Sequence, residues 1–155
     1  MDVDPAVDPD VVADMQSLPF DAGSFDAVWS SHNLEHLYAH EVPVALAEFL
    51  RVLKPGGQLF ATMPDLQSVA EKVAEGNLTG VLYESPAGPI AALDVLYGHR
   101  GYIAGGNGHY AHRTGFTEGS LRESLEGAGF SEVQVLRSCE SLALFAKGVK
   151  CHGSH

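Results

Sequence analysis

The apolar positions along the chain follow two periods, and these predict strands and helices in alternation. Short apolar runs bounded by turn residues predict strands over 25–31 and 58–63, and a further short apolar run occupies residues 11–13. Apolar residues spaced three or four apart predict helices over 42–53 and 66–75. The run Lys54-Pro55-Gly56-Gly57 predicts the end of the first helix, because proline cannot continue a helix and glycine accepts a left-handed turn.

The second half of the chain begins with a long segment that has no clear period. Residues 80–115 are rich in Gly, Pro, Tyr and His, and we expect at most one short helix there, near residues 90–97. Thr117 is placed to cap a helix that runs to Ala128. Strands over 131–137 and 141–147 lie only a short turn apart, which predicts an antiparallel pair. Strands separated by helices otherwise favour an α/β fold with a parallel sheet covered on both faces.

Charge and composition exclude some classes of partner. The chain has 155 residues, 45% of them hydrophobic, with 20 acidic and 9 basic side chains and a net charge of −11. An acidic surface repels phosphate backbones and anionic lipids, so we expect neither nucleic acid nor a membrane as partner. Cys139 and Cys151 do not make a disulfide framework, and the sequence does not open with a signal-peptide pattern; both favour a cytoplasmic protein.

Three segments occur in an informative order: ADMQSLPF at 13–20, SFDAVWSSHNLEHL at 24–37 and EFLRVLKPGGQL at 48–59. Together they resemble the middle and late motifs of class I S-adenosylmethionine-dependent methyltransferases, type 11 in particular. AGF at 128–130, followed by two strands, is similar to the family's C-terminal end. The resemblance covers residues 1 to about 147. It implies a Rossmann-like three-layer sandwich with a mixed, mainly parallel sheet and a C-terminal antiparallel hairpin.

The resemblance also implies where the cofactor S-adenosylmethionine binds, across the carboxyl ends of the strands. Asp2 matches the acid that holds the ribose hydroxyls, with Asp4 as a second choice. Asp14 and Met15 match the pair that holds the adenine, although an acid at position 14 also suits a turn or a helix cap.

Residues after the strand over 25–31 are implied to line the methyl-transfer site, and these are His32 and Asn33. Transfer from a sulfonium is an in-line displacement, so the enzyme mainly aligns donor and acceptor. A base is needed only for a protonated acceptor, and His32 or His109 has the chemistry for it. We expect a small-molecule acceptor.

The chain departs from the family at the first strand, which in the family ends in a glycine-rich loop. Gly105-Gly106-Asn107-Gly108 comes too late and lacks the strand–loop–helix context of that motif. We therefore expect a chain truncated before the first strand and helix, with Met1 not at the natural start. Such a chain is expected to be inactive or to bind its cofactor weakly. A homodimer is expected to cover the missing strand.

The predicted domain spans residues 1–148, with a lid-like insertion over 79–116 and a flexible tail over 149–155. The insertion carries a dense set of polar and aromatic residues, for which a solvated loop is the simpler interpretation. A lid excludes water and orients the acceptor, so we predict substrate contacts from Tyr97, His99, Arg100, His112 and Arg113.

His32, His36 and His40 recur every four residues with Glu35 among them, a pattern that can bind a metal on one helix. We predict no metal site there, since the helix is expected to begin after His40, with Pro43 in its first turn. Two other functions stay open. One is a non-catalytic scaffold or interaction protein with the methyltransferase fold, and the other is a small metal-binding protein.

Overall fold

The computed structural model describes residues 1–138 and 140–152. Its strands are β1 (Phe25–Ser31), β2 (Leu53–Pro64), β3 (Val81–Ser85), β4 (Gly88–Ala91), β5 (Phe130–Ser138) and β6 (Ala143–Lys150). Its α-helices are α1 (Val42–Val52), α2 (Leu66–Ala74), α3 (Ala92–Tyr97), α4 (Arg100–Ala104) and α5 (Glu118–Gly127). Single 3₁₀ turns occur at Pro5–Val7, Leu34–His36 and Gly108–Tyr110.

The central sheet has the strand order β1-β2-β6-β5. β1 and β2 are parallel, whereas β6 is antiparallel to both β2 and β5. The predicted mixed sheet and C-terminal hairpin are confirmed, but the parallel part is smaller than expected. The reason is that β6 inserts between β2 and β5 and runs against both. Near the N-terminus, Asp2 and Val12 form an isolated parallel bridge.

Most predicted elements lie where the local pattern placed them, and β2 is the main exception. It begins at Leu53, which pairs with Phe25, so the Pro-Gly-Gly stretch lies inside the strand rather than before it. The pairing shifts register between Phe25 and Ala27. Gly56 has φ of 79°, a left-handed conformation that glycine adopts without strain.

One face of the sheet is covered by α1 and α5. The buried residues of α1 recur at helical spacing and are Val42, Ala45, Leu46, Phe49 and Val52. They share one apolar core with Leu121 and Leu125 of α5 and with alternate residues of β2, namely Leu59, Ala61 and Met63. Because successive side chains of a strand point to opposite faces, this set defines the inner face of the sheet.

The other face of the sheet carries large apolar side chains in contact with solvent. Trp29 pairs with Phe60, and Phe145 pairs with Thr62 and Leu136, all out of phase with the inner face. Trp29 and Leu136 are each 67% exposed, and Phe145 is 44% exposed. These three side chains therefore lie on the face of the sheet opposite α1 and α5 and are exposed there.

The insertion is more ordered than its sequence suggests. It contains the antiparallel hairpin β3–β4 and the two short helices α3 and α4, where we expected at most one helix. A second apolar core joins it to α2 and to the turn before β6, through Val69, Ile90, Ala92, Val95 and Leu142. Glycine and proline obscured the short strands, because their apolar pattern needs a partner strand to be recognised.

The C-terminal boundary of the domain also differs from the prediction. β6 continues to Lys150, two residues into the predicted tail, and the Lys150 ammonium donates to the carbonyl oxygens of Arg51 and Leu53. Cys151 is exposed, while Cys139 and His155 lie outside the described residues. Among the described residues, no helix has the length and apolarity needed to cross a membrane.

Asp65 connects five parts of the chain at the end of β2. Its side chain is fully buried, caps α2 by accepting from the Gln67 amide, and accepts from Arg137 Nε of β5 at 2.6 Å. Its amide donates to the Leu142 carbonyl, and it pairs with Phe116 before α5. Burial raises the pKa of Asp65, but hydrogen bonds from Ser68 and Arg137 outweigh it and hold the pKa below the ordinary value.

We predict that Asp65→Ala lowers the free energy of unfolding by about 3 kcal/mol, since it removes the buried carboxylate that accepts from Arg137 Nε and also removes a helix cap. Urea denaturation followed by circular dichroism measures the change. The control is Asp26→Ala, which breaks an exposed ion pair to Lys54 and should cost less than about 1 kcal/mol. Equal losses in both variants would contradict the central role of Asp65.

Candidate functional site

A cavity of about 640 Å³ lies beside the carboxyl end of β1. Its lining includes all five residues predicted to bind the cofactor or to line the methyl-transfer site, which are Asp2, Asp14, Met15, His32 and Asn33. Its volume falls in the range of roughly 300–1,000 Å³ that is usual for small-molecule sites. The cavity is therefore the place where the separate sequence motifs meet.

The N-terminal segment forms one wall of the cavity through two acids. The parallel bridge between Asp2 and Val12 brings the two stretches together, and the amide of Ala13 donates to the Asp2 carbonyl at 3.0 Å. One carboxylate oxygen of Asp14 accepts from the Gln16 amide at 2.8 Å. Asp14 therefore does stabilise a turn, which was the alternative to ligand binding. A carboxylate accepts several hydrogen bonds, however, so Asp14 can still accept from a ligand.

His32 follows β1 in a strained backbone conformation. Its φ is 52°, in the left-handed region, and its amide donates to the Thr62 carbonyl of β2 at 2.9 Å. Such strain in a non-glycine residue often marks a functional position. Nδ1 of His32 lies 3.2 Å from Oε1 of the buried Glu35, and this hydrogen bond raises the pKa of His32.

The insertion also lines the cavity, and it contacts the N-terminal segment there. His109 and Arg113 line the same cavity as His32. The Asn107 amide nitrogen donates to Oδ2 of Asp4 at 2.8 Å, which joins the insertion to the N-terminal segment. The Arg113 guanidinium lies 4.9 Å from the centre of the Tyr38 ring, a distance suited to a cation–π contact.

Four other residues predicted to contact substrate do not line this cavity. Tyr97 and His112 line a second cavity of about 290 Å³, on the other side of Glu35. His99 accepts from the Tyr102 amide, and the Arg100 guanidinium binds both carboxylate oxygens of Asp94. The structure thus gives His99 and Arg100 contacts within the insertion and places neither in the wall of either cavity.

Two segments of the insertion meet at Gly98, namely the end of α3 and the residues that follow the 3₁₀ turn Gly108–Tyr110. A Cβ there would collide with the Tyr110 carbonyl oxygen, and the φ of 95° also requires glycine. This close approach pairs Gly98 with Ala111 and lets the His112 amide donate to the Tyr97 carbonyl. As a result, His112 lies next to the turn that follows β1.

Glu35 is the main site residue that the sequence analysis did not assign. It is 1% exposed, and its carbonyl accepts from the amides of Arg113 and Thr114, which attaches the end of the insertion to the 3₁₀ turn. His36 and His112 lie against it with their ring centres 4.9 Å apart. An acid between apolar Leu34 and Leu37 was a signal of burial, but its neighbours depend on the tertiary fold.

Comparison with known proteins gives a consistent result. A family model described as a methyltransferase domain matches residues 4–61. The malonyl-[acyl-carrier protein] O-methyltransferase of Erwinia pyrifoliae is 35% identical over 127 residues, which are 81% of this chain and 47% of that protein. The chain therefore spans about half the length of this relative.

Solved structures share the fold. A methyltransferase from Methanosarcina mazei, described as dependent on S-adenosylmethionine, matches with a TM-score of 0.57 at 20% identity. The matched region covers 91% of this chain and 66% of the Methanosarcina mazei chain. The 1,6-didemethyltoxoflavin-N1-methyltransferase of Burkholderia thailandensis, with bound S-adenosylhomocysteine, has a TM-score of 0.55 at 18% identity, covering 91% of this chain and 50% of its own. At these identities the structures demonstrate the common fold.

The ion pair inside the insertion gives a pH-dependent prediction. Arg100 beside Asp94 lowers the pKa of that buried carboxyl to about 2 from 3.8, so the pair stabilises the fold above about pH 4 and loses its effect as the pH falls towards 2. Arg100 is half exposed, which weakens the pair by solvent screening. Arg100→Leu should lower the free energy of unfolding at pH 6, and the loss should shrink as the pH falls towards 2.

The measurement is urea denaturation of both proteins from pH 6 to pH 2. The control is Lys72→Met, which removes an exposed pair with Glu75 and should change stability by less than about 0.5 kcal/mol at every pH. A loss in Arg100→Leu that is as large at pH 2 as at pH 6 would show that the guanidinium acts by packing alone.

Proposed function

Because this chain belongs to the class I S-adenosylmethionine-dependent methyltransferases, we propose that it binds S-adenosylmethionine in the 640 Å³ cavity and transfers a methyl group to a small molecule. The observation that carries the proposal is the meeting of Asp2, Asp14, Met15, His32 and Asn33 in one cavity wall. These residues come from separate segments of the chain, and the fold brings them together at the carboxyl end of the parallel strands, where this architecture binds its ligands.

The residues present fit the cofactor. Asp2 and Asp14 supply carboxylates for the ribose hydroxyls and the adenine amine, while the backbone amide of Met15 is available to a ring nitrogen. Leu18 and Phe20 add apolar surface to the same wall, as a purine base requires. S-adenosylmethionine supplies, when bound, the activated methyl group on its sulfonium.

The chain's own part in the reaction is alignment and, for a protonated acceptor, removal of a proton. His32 accepts that proton at Nε2 while Glu35 stabilises the imidazolium through Nδ1, an arrangement of a base and an orienting acid. His109 is the second candidate base, since it lines the same cavity. The insertion covers the site and excludes water from it.

We place the acceptor beside Arg113 and expect it to present an oxygen atom. Arg113 and His109 of the insertion line the cavity together with the acids Asp2, Asp4, Asp14 and Glu41. Arg113 attracts an anionic group of the acceptor, while the acids of the same lining repel it. The Erwinia pyrifoliae relative is named for O-methylation of malonyl-[acyl-carrier protein], which fits an acceptor of this kind. A cytoplasmic location stays a prediction.

We further propose that the 155-residue chain binds the cofactor weakly and transfers methyl groups slowly or not at all. Asp2 and Asp14 can serve the ribose and the adenine, but the sequence contains no glycine-rich loop in a strand–loop–helix context to hold the methionine end. Loss of several charge-assisted hydrogen bonds, each worth about 1.5–3 kcal/mol, corresponds to a Kd raised by roughly two to four orders of magnitude.

We predict that Asp14→Asn weakens binding of S-adenosylhomocysteine by about 10- to 100-fold, since it removes one charge-assisted hydrogen bond to the adenine. Calorimetry, or NMR titration for millimolar affinity, measures the Kd. The matched control is Asp10→Asn, an exposed acid of the same segment outside the cavity wall, which should leave the Kd unchanged. Equal affinities for Asp14→Asn and the unmutated chain would refute the assigned site.

We propose a homodimer in which a second copy covers the outer edge of β1 and the exposed apolar face. The described residues place no strand beyond β1, so that edge presents unpaired backbone groups. Trp29 of β1 lies on a solvent-exposed apolar face that extends across the sheet through Phe145 of β6 to Leu136 of β5, the strand at the other edge. Light scattering at micromolar concentration should give twice the chain mass, and Trp29→Lys should give the monomer mass. A monomeric unmutated chain would contradict the dimer.

A further inference from the structure

Three metal-binding side chains meet between the two cavities. Glu35 and His36 come from the 3₁₀ turn after β1, and His112 comes from the end of the insertion. Each offers one ligand atom, and the three atoms lie within 4.8 Å of one another. His36 lines the larger cavity, whereas Glu35 and His112 line the smaller one.

The Glu35 carboxylate is only half satisfied although it is almost fully buried. Oε1 interacts with His32 Nδ1, but Oε2 has no hydrogen-bond partner and is the buried side-chain polar atom for which the described residues provide none. An unpaired buried carboxylate oxygen costs free energy on the order of 1–3 kcal/mol or more. A cation bound at Oε2 would remove that cost.

Both histidines are oriented as metal ligands usually are. Nδ1 of His36 donates to the Ala111 carbonyl at 3.1 Å, and Nδ1 of His112 donates to the Val95 carbonyl at 2.7 Å. A hydrogen bond from one ring nitrogen to a carbonyl fixes the ring and leaves a lone pair on Nε2.

We propose that Glu35, His36 and His112 bind a divalent transition-metal ion, with Zn²⁺ as the ion that best suits two imidazoles and one carboxylate. The site differs from the periodic set His32, His36 and His40, because no single helix carries those three residues. The turn that contains His36 ends before Leu37, and α1 begins at Val42. One ligand of the proposed site, His112, instead comes from the insertion. Its neighbour Ala111, which accepts from His36, lies 75 residues beyond His36.

Three protein ligands leave a coordination position open on a tetrahedral ion. The ion would lie at the wall between the cavities, beside His32 and Arg113, which face the larger one. In an extension that rests on the proposed function, the open position binds an oxygen atom of the methyl acceptor. The metal would orient that oxygen and lower its pKa, as metal-bound oxygen ligands show elsewhere.

The test of the site uses the untagged chain with Zn²⁺ and Co²⁺ as probes. We expect calorimetry to show one Zn²⁺ per chain and Co²⁺ to give the visible absorption of a tetrahedral complex. Zn²⁺ should also raise the melting temperature, because a ligand that binds the folded state stabilises it. No saturable binding, or binding without any change in melting temperature, would overturn the proposal.

Variants identify the ligands. Glu35→Gln, His36→Ala and His112→Ala should each weaken Zn²⁺ binding by more than about 100-fold, beyond the 10- to 100-fold typical for loss of a supporting partner. The matched control is His40→Ala, an exposed histidine of the same segment, which should bind Zn²⁺ as the unmutated chain does. Loss of binding in His40→Ala, or unchanged binding in His112→Ala, assigns the metal to other residues and refutes the site.

Circular dichroism of each variant without metal distinguishes unfolding from loss of a ligand. Glu35→Gln preserves size and shape, and it serves as the decisive variant if His112→Ala does not fold. Failure of the proposed methyl transfer is separable, because Zn²⁺ binding and the Co²⁺ spectrum need no S-adenosylmethionine. Binding of Zn²⁺ by a chain that shows no binding of S-adenosylhomocysteine even in the NMR titration for millimolar affinity would support the metal site and contradict only the proposed cofactor site.

Discussion

The fully buried carboxylate of Asp65 is the interaction on which the functional end of the sheet depends. It caps α2, binds Arg137 of β5 and, through its backbone, reaches the segments before α5 and β6. Because it fixes the end of β2, it also fixes Thr62, whose carbonyl holds the strained turn at His32. A buried acid is tolerated here since nearly every lone pair has a partner.

Glu35 is a second buried acid, and its different environment indicates a different role. Its backbone carbonyl attaches the insertion to the turn after β1, as Asp65 attaches its own neighbours. Its side chain, however, retains an unsatisfied oxygen beside His36 and His112. Hydrogen bonds within the fold satisfy the Asp65 carboxylate, whereas Oε2 of Glu35 needs a bound group to satisfy it. We therefore assign stability to Asp65 and binding to Glu35.

The insertion determines the shape of the site more than any single motif does. Its own apolar core packs against α2, and Gly98 lets the end of α3 approach Tyr110 and Ala111, so that Arg113 and His112 reach the turn after β1. The contact between Asn107 and Asp4 joins it to the N-terminal segment. As a result, Arg113 and His109 line the same cavity as the acids Asp2 and Asp14.

Local pattern was enough to determine β1, the α1 and α5 helices with the Thr117 cap, and the closing hairpin, because period and capping chemistry act within a few residues. The ordered motifs also identified the family and the set of residues that meet in the cavity. Only the tertiary structure decided that β6 lies between β2 and β5, that Arg100 binds Asp94, and that His112 lies against Glu35. These features depend on which distant segments pack together, and side-chain types along one chain carry little information about contacts between residues that far apart.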